Sequence, residues 1–139
     1  METVHAVWDY YDAPRTGIAN YRGQPHYFSC QWDAAADDFS GTYSLSLIDA
    51  ETFAMVLEQW AIWREWEVAF HAGRAASESH PGLGSCDLRY DELQLLLQSR
   101  IDALPAPGAL AQAKFYPDSS DNLPIDVMRP LVVEWSDAA

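Results

Sequence analysis

Residues 50 to 72 carry the periodicity of one long helix, and this stretch divides the chain into a strand-rich first half and a mixed final third. Asp49 is a good N-cap, Glu51 suits the first turn and Gly73 is placed to end the helix. Wound at about 100° per residue, the densest apolar stripe carries Phe53, Val56, Leu57, Trp60 and Trp63. The same stripe carries Arg64, Glu67 and His71, three polar groups that a plain core helix avoids.

On either side of this helix the sequence reads as strands and turns. "VHAVWDYYD" is an apolar-aromatic run ended by Asp12, Pro14 and Gly17. "GIANY" and "HYFSCQW" flank the turn signal "RGQP" and predict a hairpin. In its second arm His26, Phe28, Cys30 and Trp32 share one face. "DAAADDFSG" reads as an acidic loop, and "TYSLSLI" as a half-buried strand. After the polar connector "RAASESHPGLGS", a second helix starts near Asp87 and stops at Pro105. "QAKFYP" and "PLVVEW" are short strands separated by "DSSDNLPIDVMR". With no repeat and no domain boundary, the expected architecture is a single α+β domain over residues 1 to 139. Its mostly antiparallel sheet, an N-terminal meander plus one or two C-terminal strands, packs against two helices.

Twenty-one acids against eight bases give a formal charge of −13, and only one base is a lysine. Such a chain is repelled by nucleic acid and by anionic membrane surfaces, so neither is an expected partner. A basic protein partner is attracted and steered in. The plainer account is that the acids keep the protein soluble. No run approaches the roughly 20 apolar residues of a membrane span, and no export signal precedes the first strand. The expectation is a cytoplasmic protein with Cys30 and Cys86 as reduced, buried thiols.

The familiar catalytic and cofactor motifs are missing: no paired Cys-x-x-Cys, no His-Glu-x-x-His, no phosphate loop and no Gly-x-Ser-x-Gly. No cofactor and no metal is therefore assigned. The glycines of "GLGS" lack a preceding strand, and Asp87 repels phosphate there. Two constellations remain. In the first, Arg64, Glu67 and His71 lie one turn apart, so Glu67 is a candidate general acid or base with His71 and Arg64 beside it. Asp9, Asp12 or His26 would have to complete any metal set. Structurally, the same trio is a self-satisfying polar network. The second constellation is Asp9, Tyr10, Tyr11, Asp12, Arg15, Tyr21 and His26, a residue mix typical of recognition surfaces. There too a structural account exists, with aspartates capping turns and tyrosines filling strand faces. His80, before Pro81, reads as a solvated imidazole.

"WDYYDAPRTGIANYRGQPHYFSCQWD", with "WAIWREWEVAFHAG" and "HPG", resembles a group of small bacterial proteins sharing this aromatic N-terminal pattern and a Trp-rich helix. The resemblance covers residues 7 to about 93. It implies a bacterial origin and brings no activity with it. Two readings therefore compete. One is a non-enzymatic protein-binding module, a partner or inhibitor of a basic protein. The other is a small hydrolase or lyase, with or without a metal, built on Glu67 and His71. An exposed Trp/Tyr patch would equally suit a homodimer interface.

Overall fold

The computed structural model describes residues 1–118 and 130–138. Four strands come first: β1 (Glu2–Tyr10), β2 (Pro14–Tyr21), β3 (Gln24–Asp33) and β4 (Asp38–Leu47). Helices α1 (Ala50–His71) and α2 (Leu88–Asp102) follow, and then β5 (Ala109–Pro117) and β6 (Leu131–Asp137). Every strand pairs antiparallel with its neighbour in sequence, and β6 returns to β1 through Glu2↔Val133 and Thr3↔Val132. The sheet is a closed six-stranded barrel. This corrects the expected open sheet packed against two helices.

Closure follows from apolar residues on both faces of the early strands. An open sheet with helices on one side would leave Phe28, Cys30 and Tyr43 in water. Rolled up, the same strands bury that face inside the barrel with Ala19, Leu45, Ala111 and Val133. The later strands add the rings that fill the interior. Phe28, Tyr43, Phe115 and Trp135 contact one another in all six pairings, at centroid distances of 5.8 to 6.2 Å. The barrel is thus a packed core and also has no free sheet edge.

The outer face of β1–β3 forms a second core. Ala6 and Ile18 pack there with Ile48, Val56 and Leu97, flanked by Trp8, Tyr27, Phe53 and Trp60. Helix α1 is capped as expected, with the Asp49 carboxylate accepting from Thr52 N at 2.8 Å and Gly73 at φ 76° just beyond its end. Its 22 residues, about 33 Å long, run from the lower barrel rim, where α1 follows β4, to the upper rim. Helix α2, capped by Asp87, runs back. Gln59–Gln94 and Arg89–Glu58 tie the two helices together. Leu57 departs from the expected stripe and lies exposed, while Gln59 is buried.

The predicted hairpin is β2–β3, turned by Arg22 and Gly23 with φ of 53° and 77°. Cys30 is buried within the barrel, whereas Cys86 is exposed, contrary to expectation. The separator "DSSDNLPIDVMR" lies, from residue 119 on, outside the described residues.

Candidate functional site

The upper rim brings together turns that are distant in sequence. Tyr10, Tyr11 and Asp12 form the β1–β2 turn, with Asp12 at φ 62°. The acidic segment between β3 and β4 lands beside it, with Asp37 at φ 52°. Phe39 joins the two turns: its ring lies 6.2 Å from Tyr11 and 5.1 Å edge-on from Trp32. The Arg15 guanidinium covers the same ring at 4.3 Å. Tyr10, Tyr11 and Trp32 are nevertheless 63%, 64% and 55% exposed, which leaves three large rings facing water beside four exposed carboxylates, Asp12, Asp33, Asp37 and Asp38.

Among the described residues of this rim the base is Arg15, and it is turned inward. Its Nε donates to the Tyr11 carbonyl at 2.8 Å and its NH1 to Cys30 Sγ at 3.5 Å. Burial alone would ease its proton off, but the Cys30 contact and the nearby Tyr43 outweigh that and raise its pKa. Tyr43 donates its hydroxyl to the Pro14 carbonyl at 2.6 Å. Burial above all, and then the Cys30 thiol, push its phenol up to about 12. Tyr43 is therefore a structural donor at neutral pH.

A cavity of about 910 Å³ lies between the barrel mouth and α1, walled by Tyr10, Asp12, Arg15, Tyr43, Trp63 and Glu67 among others. Parts of both sequence constellations thus meet around one space. Glu67 is only 9% exposed. One of its oxygens accepts from Trp63 Nε1 at 3.2 Å and the other from Arg64 at 3.3 Å. His71 does not join them: it is exposed at the helix end, against the Phe70 ring. The trio is a pair with a tryptophan, and no hydrogen bond or ion pair from a described residue reaches His71.

The recognition cluster also divides. Tyr21 and His26 contact each other edge-on at 5.3 Å on the lower rim, near the turn where the Glu2 carboxylate accepts from the amides of Arg22 and Gly23. Asp9 faces sideways, accepting from the Thr16 hydroxyl at 2.9 Å. Only Tyr10, Tyr11, Asp12 and Arg15 of that set occupy the upper rim. No group of three or more His, Cys, Asp or Glu side chains among the described residues could hold a metal ion. His80 is not simply solvated, because Trp63 and Trp66 each meet its ring at 4.5 Å.

Sequence reasoning missed Trp32, Phe39 and the aspartates of "DAAADD" as partners of the first turn. A tryptophan followed by a short acidic turn is the available signal; its neighbour across the rim is set by three successive pairings, β1 with β2, β2 with β3 and β3 with β4, which no single segment encodes. No family model, curated protein or solved structure matches the chain. Among the described residues, no helix is long and apolar enough to cross a membrane.

Proposed function

We propose that this protein is a non-enzymatic binding module whose upper rim docks a basic protein partner. One observation carries this reading: three exposed rings and four exposed carboxylates converge there from two separate turns, while Arg15 is folded back onto Phe39. Aromatic anchors supply contact area and the acids supply steering and register. Two further arginines are engaged by local acids, Arg89 with Glu58 and Glu92, and Arg100 with Glu51 and Asp49. The rim keeps its negative charge. Two such rims would repel each other, which favours a basic partner over a rim-to-rim homodimer.

The hydrolase or lyase reading loses its main support, since His71 stands apart from Glu67 and both carboxylate oxygens already accept hydrogen bonds. The test is capture from host lysate by the immobilised protein at 50 mM and 500 mM salt, repeated with Trp32→Ala and with Asp12→Asn/Asp37→Asn. A basic protein retained at low salt, released at high salt and lost with both variants is the expected result. Capture that ignores salt and both substitutions would overturn the reading.

A further inference from the structure

A second cavity, of about 800 Å³, lies on the flank of the molecule between α2 and the outer face of the barrel. Its size is that of a small-molecule site. Three aromatic rings wall it, Trp8, Tyr27 and Tyr90, and the first two stand 6.0 Å apart at 35°. Its charged walls are Asp9 and Asp91, and among the described residues lining it there is no lysine, arginine or histidine.

The charge lining this space is negative, and both carboxylates keep acceptor capacity to spare. Asp9 takes one hydrogen bond from Thr16, and Asp91 takes one from Ser85 N at 2.8 Å through a single oxygen. Gln59 is the most telling residue. It is 3% exposed, its Nε2 donates to Gln94 Oε1 at 2.6 Å, and its own Oε1 accepts from no described residue. Since no buried side-chain oxygen among the described residues lacks a partner, this oxygen is open to the solvent of the cavity, where a ligand N–H can take the place of water. Both nearby phenols have raised pKa values, chiefly through burial, so they stay neutral and add no charge of their own to the cavity.

We infer that this flank cavity binds an organic ammonium, its charge set against Asp9 and Asp91, its N–H groups reaching Gln59 and its apolar body between the Trp8, Tyr27 and Tyr90 rings. Anions are excluded by the two carboxylates. Neutral apolar molecules would leave the acceptors without donors. The inference is independent of the rim, because none of the residues that anchor the proposed docking face lines this cavity.

Titration calorimetry on the full chain tests it. Phenethylammonium represents a free amine, Nα-acetyl-lysine N-methylamide represents a side chain offered by another protein, and 2-phenylethanol is the neutral control. Either ammonium is expected to bind saturably, with the tighter of the two identifying the source. The alcohol should bind at least about tenfold more weakly. Asp9→Asn/Asp91→Asn should weaken the ammonium by about tenfold or more. Gln98→Trp, an exposed α2 position on the cavity wall, should weaken binding by narrowing the space while leaving the melting temperature close to wild type. Three results would each overturn the inference: no heat from either ammonium at 10 mM, equal binding of the alcohol, or undiminished binding by both variants.

Discussion

Gly17 shows how tightly single residues are constrained where the two cores meet. It pairs with Phe28 across β2–β3, and a Cβ placed on it would lie 2.1 Å from the Ala6 carbonyl oxygen and 2.8 Å from the tip of the Phe28 ring. The nearer obstacle is backbone and cannot swing away. Gly17→Ala is therefore expected to cost more than about 3 kcal/mol, read as a shift in the urea midpoint. A cost under 1 kcal/mol would mean that β1 and β2 lie further apart than described. Tyr43 makes a prediction with a pH signature. Its pKa is raised in the folded state, from an ordinary value of 10 to about 12. The stability it contributes is thus complete below pH 10 and is lost as pH rises from 10 towards 12. The loss should be on the order of 2 kcal/mol. Tyr43→Phe should cost about 1 kcal/mol at neutral pH, through the lost bond to Pro14, and should flatten the alkaline part of the stability profile. Tyr27 and Tyr90 shift in the same direction, so the difference between variant and wild type, rather than either curve alone, isolates Tyr43.

At the level of elements, what was legible is what is local. Helix α1 could be read with its cap because Asp49, the apolar spacing and Gly73 all lie within the segment they define. The β2–β3 hairpin could be read because Arg22-Gly23 sets its turn. The pairing of the first strand with the last could not, and alternation looks the same in an open sheet and in a barrel. The clue was that Trp8 and Tyr27, on the face opposite to Phe28, are also large and apolar: both faces needed cover. The polar groups of α1 stand out within its apolar stripe, but spacing alone does not separate Glu67–Arg64 from Glu67–His71, since both geometries permit contact. Burial decides it, because His71 lies past the last covered turn. Glu67→Gln tests the outcome. The amide presents a donor where Trp63 or Arg64 already donates, so the variant should lose about 2 kcal/mol in thermal or urea unfolding. Unchanged or increased stability would show that the carboxylate is not held for the fold, and would return Glu67 to the list of chemical candidates.

For the molecule as a whole, the question is whether the charge of −13 serves solubility or recognition. A charge spread for solubility has no preferred place, and neutralising any two exposed acids should then have much the same effect on binding. The upper rim differs in that its acids are gathered beside exposed rings on a closed barrel, and recognition that rests on charge there must oppose stability, since like charges held close raise the energy of the folded state. Asp12 and Asp37 separate the two accounts cleanly. Both sit in left-handed backbone, which asparagine tolerates, and no hydrogen bond from a described residue reaches either carboxylate. Asp12→Asn/Asp37→Asn should leave the melting temperature at low salt unchanged or raise it by 1 to 3 °C, roughly the return expected for relieving a few tenths of a kcal/mol of repulsion. The same variant should bind the basic partner more weakly and with a shallower dependence on ionic strength, mainly through a slower association rate. Glu92, on the α2 surface away from the rim, supplies the control, since Glu92→Gln also removes an exposed charge. If that control reduces partner binding as much as the rim variant does, the negative charge acts as a diffuse field and the rim holds no special place in recognition.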